Sequence, residues 1–116
     1  MENEQLFNKL KELILNNKAG FTANEKADIL NINKGFAVSV TNNKTTDLNE
    51  LILNAVSLSN YFKNGFCFGG WYDENNKNYY LDISFIIDEK AQALQTAKNF
   101  NQLAVFDFST FNTITL

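Results

Sequence analysis

The sequence contains no histidine and no arginine, and its only cysteine is Cys67. Histidine is the usual general base near neutral pH and the commonest transition-metal ligand, so its absence excludes Ser-His-Asp and Cys-His catalysis within one chain. A single cysteine also excludes an intramolecular disulfide and, without histidine, a structural zinc site. We therefore expect no metal and no cofactor.

Positive charge is scarce in the form that nucleic-acid binding uses. Ten lysines stand against thirteen acidic residues, for a net charge of −3. Arginine, which makes bidentate contacts to guanine and phosphate, is missing. Direct nucleic-acid binding is therefore not expected, and thirteen carboxylates in 116 residues are too sparse for a DNA mimic.

Long apolar runs are absent as well. No run approaches the ~18 residues that a membrane span needs, and the first residues, MENEQLFNKLKE, lack the basic and apolar regions of a secretory signal. We expect a soluble, cytoplasmic protein. The length of 116 residues and the 45% hydrophobic content suit one core, so a single domain over residues 1–116 is predicted.

Helical periodicity occurs in three places. The first helix is predicted over residues 3–17, where apolar residues repeat at helical spacing. The second follows Asp47 and Glu50, which match a capping box, and runs to about Lys63 before a stop at residues 64–65. The third is predicted over residues 89–99 with Asp88 as its cap. Its inward-facing residues are Ala91, Leu94 and Ala97.

Period-two alternation predicts the strands. They lie at residues 35–41, 66–72, 79–87 and 103–108, and residues 109–116 add an edge strand. Residues 21–33 stay ambiguous between a short strand and a loop. The mixture of hairpins with helical crossovers predicts an α+β fold, with a mainly antiparallel sheet of about five strands and about three helices packed largely on one face.

The most distinctive stretch, FCFGGWYDENNKNYYLDISFIID at residues 66–88, places a polar break between two aromatic runs. This arrangement predicts a β-hairpin with its turn at residues 73–78. Gly69 and Gly70 lie inside the first strand, where glycines usually mark a bulge or a close approach. The approaching group is either the protein's own chain or a ligand, and Trp71 is accordingly either core or binding surface.

This hairpin is the candidate ligand or partner site. Tryptophan is the residue type most enriched at binding hot spots, and a rigid aromatic ring on a hairpin supplies a large contact area. The competing interpretation is aromatic packing on a half-exposed sheet. The candidate site residues are Gly69, Gly70, Trp71, Tyr72, Tyr80 and Asp82.

Asp82 and Asp107 each interrupt an otherwise apolar or aromatic strand. If both faced one pocket they would form a carboxylate pair able to share a proton; otherwise each points to solvent or caps a neighbouring backbone. Asp73 and Glu74 are typical of a solvated turn rather than a cation site. Cys67, in an aromatic strand, is typical of a buried small hydrophobe.

Short phrases along the chain form a pattern of their own. They are GFAVS at residues 35–39, GGWYD at 69–73, YLDIS at 80–84 and NQLAVFD at 101–107. The pattern resembles a poorly characterised family of small proteins and domains of phages, plasmids and other mobile elements, some of them fused into large polyvalent proteins. Residues 24–34 form a longer, insertion-like segment than the family pattern implies.

The resemblance implies a mobile-element origin more than it implies a reaction. Small phage proteins of this size often work by binding, either blocking a host defence enzyme or sequestering its nucleotide signal. We therefore expect a non-enzymatic binding protein, a host-takeover or anti-defence factor, whose partner is a host protein or a small-molecule ligand. Two alternatives stay open: a small enzyme using Asp82 and Asp107, and a structural or assembly module of a larger phage protein. Formation of a homo-oligomer is also left open.

Overall fold

The structure, a computed structural model, describes residues 2–41, 44–62 and 65–116. Within them, three helices occupy Asn3–Asn16 (α1), Leu48–Phe62 (α2) and Lys90–Asn99 (α3). The strands are Phe21–Ala23 (β1), Phe36–Ser39 (β2), Lys44–Thr45 (β3), Cys67–Asp73 (β4), Asn78–Ile87 (β5), Ala104–Asp107 (β6) and Asn112–Thr115 (β7). The predicted helix end at Lys63 and Asn64 and the predicted loop at Asn42 and Asn43 lie outside the described residues.

These strands form one antiparallel sheet in the order β1-β4-β5-β2-β6-β7, and β3 pairs with β5 beyond the end of β2. The fold is therefore α+β with an antiparallel sheet, as predicted. About five strands were predicted, and the two additional ones are β1 and β3, with three and two residues. Segments this short cannot display a period-two alternation, so the sequence pattern does not reveal them.

The helices cover one face of the sheet, as predicted. Leu81 and Ile83 of β5 are fully buried in a cluster with residues of α1 and α2. Val38 of β2, which lies beside Phe85 in the register, is buried in a second cluster with Ala93 of α3. The opposite face carries no helix of the described chain, and we call it the open face.

The first two helices bury the apolar faces that their periodicity predicts. In α1 the buried residues are Leu6, Leu10 and Ile14. At the start of α2, the Glu50 N–H donates to Oδ1 of Asp47 at 3.2 Å, which is one half of the predicted capping box. The Asp47 N–H donates to Oγ1 of Thr45 at 3.1 Å, so Thr45 supplies the acceptor that the other half of the box would provide.

The third helix differs from the prediction at its start and on its buried face. Its N-cap residue is Glu89 rather than Asp88, and no side chain caps it. Ala93 and Ala97 are buried, whereas Ala91, predicted to face inward, is exposed. Alanine contributes little to a hydrophobic periodicity, so three alanines at competing positions did not determine which side of the helix is buried.

The described helices are short. The longest, α2, has 15 residues, fewer than the ~20 that a spanning helix needs. No described helix combines the length and apolar character required to cross a membrane.

Candidate binding site

Gly70 is explained by the protein's own packing. It pairs with Phe21 of β1 and with Leu81 of β5, on the helix-covered face. A Cβ atom on Gly70 would lie 2.6 Å from Cε1 of Phe21 and 3.2 Å from the main-chain oxygen of Tyr80. Only a residue without a side chain leaves room for the Phe21 ring, so here the close approach predicted for the glycine pair is internal.

Gly69 faces the other way, because successive strand residues alternate between the two sides of a sheet. It pairs with Asp82, and a Cβ atom on Gly69 would meet nothing closer than the main-chain oxygen of Phe21 at 4.0 Å. A glycine inside a strand costs about 0.5–1 kcal/mol of stability relative to alanine. Internal packing does not account for that cost at Gly69, which leaves space for a group from outside the chain.

Trp71 and Tyr80 form a stacked aromatic pair on the open face. They are direct cross-strand neighbours, with ring centroids 4.7 Å apart and ring planes inclined by 11°. The Tyr80 hydroxyl accepts a hydrogen bond from Nδ2 of Asn76 at 3.3 Å, which anchors the pair to the turn. Trp71 is 43% exposed, so the interpretation that it belongs to the core is wrong.

Tyr72 does not belong to this surface. It lies on the helix-covered face, where its ring centroid is 4.6 Å from that of Tyr79 and 5.5 Å from Nζ of Lys18. The prediction grouped residues that are adjacent in sequence, and strand alternation separates them. The open face therefore receives the side chains of Trp71, Tyr80 and Asp82 and the bare backbone of Gly69; Gly70 contributes main-chain atoms alone.

A groove of about 970 Å³ crosses the open face from β4 to β7, and we call it the open-face groove. Its floor consists of small residues of the central strands, namely Ala37, Ser39, Gly69 and Ser84. The hydroxyls of Ser39 and Ser84 are hydrogen-bonded to each other at 3.1 Å. Trp71 bounds the groove on the β4 side. The rings of Phe106 and Phe111, with centroids 6.3 Å apart, bound it on the β6–β7 side.

Residues 29–33 form a further wall of the open-face groove. After β1 the chain turns back, and the Leu30 N–H donates to the Thr22 carbonyl at 2.8 Å. Because β4 and β5 lie between β1 and β2 in the sheet, the connection has to pass both strands before it reaches β2. This crossing segment is the part of the chain that the sequence pattern left ambiguous.

The open-face groove carries little charge. Among the described residues that line it, Asp82 is the only acidic one and no lysine is present. Thr41 is positioned by the Ile83 N–H, which donates to its Oγ1 at 3.0 Å, and its hydroxyl donates to Oδ1 of Asp82 at 3.4 Å. A ligand rich in phosphate would meet this carboxylate and no lysine of the described lining. The groove therefore favours neutral or positively charged groups.

The predicted carboxylate pair does not form. Asp82 faces the open-face groove. Asp107 is the facing partner of Phe36 in β2 and of Asn112 in β7, and these positions lie on the helix-covered face. Oδ1 of Asp107 accepts hydrogen bonds from the hydroxyl of Ser109 at 2.7 Å and from its N–H at 2.9 Å. These bonds hold the pKa of Asp107 below its ordinary value. Two carboxylates on opposite faces of the sheet cannot share a proton, so the predicted pairing of Asp82 with Asp107 is wrong.

Asp73 and Glu74 lie where β4 turns into β5, and local hydrogen bonds account for an aspartate there. Oδ1 of Asp73 accepts the Asn75 N–H at 2.9 Å, the arrangement that makes aspartate frequent in turns. Within residues 2–41, 44–62 and 65–116, no group of three or more His, Cys, Asp or Glu residues is placed to hold a metal ion.

Cys67 is expected to resist alkylation while the protein is folded. It is buried, as predicted, and its thiol donates to the Ser84 carbonyl at 3.5 Å. Burial raises the pKa of the Cys67 thiol to about 11, so the reactive thiolate is rare at mildly alkaline pH. Iodoacetamide should leave the native protein unmodified and modify it in denaturant, as read by mass spectrometry. Rapid labelling of the native protein would contradict this expectation.

Sequence reasoning missed several residues of the open-face groove, among them Ser39, Ser84 and Phe106. A signal for the two serines was present, because both fall at open-face positions of the alternating pattern on neighbouring strands. Small side chains at adjacent positions of one face leave a depression in a sheet. No sequence signal placed residues 29–33 beside them, because that contact depends on the order of the strands.

No protein-family model, curated protein or solved structure matches the chain. The resemblance to mobile-element proteins therefore stays a prediction.

Proposed function

We propose that the protein is a non-enzymatic binding protein of a phage or other mobile element, which acts in the host cytoplasm as a host-takeover or anti-defence factor. It holds a segment of a host protein in the open-face groove. The observation that carries this proposal is the space above Gly69, where a strand glycine has no internal packing reason and lies beside the exposed ring of Trp71, which is stacked on the half-buried Tyr80.

The composition of the chain supports binding rather than catalysis. The sequence has no histidine, its one thiol is buried with a raised pKa, and the carboxylates of Asp82 and Asp107 lie on opposite faces of the sheet. General acid–base and nucleophilic mechanisms need such groups within hydrogen-bond reach of each other or of a substrate.

The charge of the groove supports a protein partner over a nucleotide signal. Nucleotide phosphates are usually held by lysine, arginine or the N-terminus of a helix. The described lining of the open-face groove contains one carboxylate and no basic side chain. A polypeptide segment, in contrast, can pack apolar side chains against Trp71 and Phe106 and hydrogen-bond to the two floor serines.

The proposal is tested by blocking the groove from its floor. Tagged wild-type protein and a Gly69→Leu variant are incubated with host-cell lysate, and the retained proteins are identified by mass spectrometry. The leucine side chain would enter the groove, while its Cβ atom has room beside the strand. Leu53→Ala is the matched control, because Leu53 is a 60% exposed apolar residue of α2 that does not line the open-face groove.

We expect one host protein to be retained by wild type and by Leu53→Ala and lost with Gly69→Leu. Retention of the same protein by Gly69→Leu would show that the groove is not the site. Detection of a nucleotide released from the denatured wild-type protein, without a retained host protein, would overturn the choice of partner.

A further inference from the structure

The outer edge of β7 offers two residues with free main-chain groups. The Leu116 N–H donates to the Leu103 carbonyl at 2.9 Å, which makes this facing pair hydrogen-bonded. Antiparallel pairs alternate between hydrogen-bonded and non-hydrogen-bonded. The pairs that contain Thr115 and Thr113 are therefore non-hydrogen-bonded, and these two threonines direct their N–H and C=O groups away from β6.

The same alternation holds on the inner side of β6. The Phe108 N–H donates to the Gly35 carbonyl at 3.0 Å, two residues beyond the facing pair of Phe106 with Ala37. Phe106 thus turns its main-chain groups toward β2. Phe106 therefore makes no main-chain hydrogen bonds to Thr113, its neighbour in β7. The N–H and C=O groups of Thr113 point away from β6, as the alternation between β6 and β7 also requires.

The two outer edges of the sheet are treated differently. At β1 the chain covers the edge itself, because Ile29 forms a bridge with Ala23 and Leu30 bonds to Thr22. At β7 no described residue pairs with the outer side. Natural edge strands are usually protected by lysine, proline or a bulge, and β7 has the uncharged sequence NTIT in a regular register with β6.

Apolar residues flank the uncovered edge on the helix-covered face. Ile114 packs against the cluster beneath α3, but the layer of described helices ends there. Phe100, Leu103 and Leu116 remain 46%, 82% and 48% exposed. Leu116 follows Ile114 on the same face, and Leu103 is its hydrogen-bonded neighbour, so the exposed apolar surface continues up to the seam.

We propose that β7 pairs antiparallel with β7 of a second copy of the chain, about a two-fold axis at Ile114. Thr113 then faces Thr115 of the second copy, and Thr115 faces its Thr113. Both pairs are of the hydrogen-bonded kind, which makes four main-chain hydrogen bonds. The exposed apolar residues of the two copies meet on the helix-covered face beside the seam.

An axis at Ile114 pairs the outward N–H and C=O groups of both Thr113 and Thr115, which other positions of the axis do not. An axis at Thr113 would form a single hydrogen-bonded pair within the strand, because the next pair would need Phe111, whose positive φ of 56° removes it from extended backbone. No charged side chain of β7 is brought against its own copy, since the strand carries none. The covered edge at β1 stops the pairing at two copies, so a closed dimer forms instead of a filament.

The dimer is tested by sedimentation equilibrium over a range of protein concentrations. Wild type should approach twice the monomer mass of 13.2 kDa. The double variant Thr113→Lys with Thr115→Lys places lysine opposite lysine in the proposed register, and it should stay monomeric. The double variant Thr113→Lys with Thr115→Glu places lysine opposite glutamate at both pairs, and it should retain the dimer. Both threonines are exposed, so folding should be preserved and is checked by circular dichroism.

A wild-type protein that stays monomeric at every concentration would overturn the proposal. A dimer that survives the double lysine variant would show that the contact lies elsewhere. Loss of the dimer in the lysine–glutamate variant would refute the register, because an axis at Thr113 would then bring two lysines together. If either double variant failed to fold, Thr115→Lys alone, which also adds charge at the seam, should weaken the dimer at least tenfold.

Discussion

Trp71→Ala is expected to weaken binding of the captured host partner by about 30-fold or more while the protein stays folded. Truncation of a hot-spot tryptophan typically costs 2 kcal/mol or more of binding free energy, which is about 30-fold in affinity. Trp71 stands at one side of the open-face groove and presents a rigid ring that is already stacked on Tyr80. The partner therefore meets a preformed surface and does not have to order it.

The stability of this variant separates a surface tryptophan from a core one. Removing a buried tryptophan costs about 3–5 kcal/mol, whereas loss of one aromatic pair costs about 0.5–1.5 kcal/mol beyond its area. With 43% of its surface exposed, Trp71 should behave like the second case. Urea denaturation measures the free energy of unfolding, and calorimetry measures the affinity for the partner.

Tyr72→Ala is the matched control for Trp71→Ala. Tyr72 is the next residue on the same strand, but its ring packs against Tyr79 on the helix-covered face. Its truncation should lower stability and leave affinity unchanged among the molecules that remain folded. If Trp71→Ala unfolds the protein, or if it binds as well as wild type, the open-face groove is not the binding surface.

Gly70→Ala is expected to destabilise the protein by about 1–3 kcal/mol, as overpacking of a well-packed site does. Its Cβ atom would stand 2.6 Å from the Phe21 ring and 3.2 Å from a main-chain oxygen of β5. The partly buried ring packs against the core cluster of α1 and α2, so displacing it costs contacts there. Gly69→Ala, one residue away, should be neutral or stabilising, because its Cβ atom has room.

A double-mutant cycle identifies the Phe21 ring as the cause. In a Phe21→Ala background the ring atoms that oppose the new Cβ are gone, so Gly70→Ala should cost clearly less than in the wild-type background. Thermal or urea denaturation of the four proteins gives the coupling free energy. Equal costs in both backgrounds, or a destabilising Gly69→Ala, would refute the assignment of one glycine to each face.

The sequence pattern was sufficient where an element was long and alternated in chemistry. β5, with ten residues, shows apolar and mixed positions in strict alternation, and its two faces are as predicted. The apolar face of α1 likewise follows from leucine and isoleucine at helical spacing. In both cases, several large side chains report the same orientation.

The pattern was insufficient where few side chains report orientation or where contacts depend on topology. α3 has alanines at competing positions, and β1 is too short to alternate. The glycine pair was treated as one feature because glycines show no face of their own. Alternation counted from Trp71 would have assigned Gly69 to its face and Gly70 to the other. The wall at residues 29–33 follows from the strand order, which no local pattern encodes.

The strand order also determines when the sheet can form during synthesis. The three strands that come first along the chain find their described partners later: β1 pairs with β4, β3 with β5, and β2 with β5 and β6. A ribosome that has released only the first sixty residues therefore exposes strands whose partners have not yet been made. The two helices already available, α1 and α2, can dock on each other, but the apolar face that they later bury against β4 and β5 stays exposed to water. Pairings between segments so distant in sequence form slowly, so β2, in the middle of the sheet, completes its pairing only after the last third of the chain has emerged.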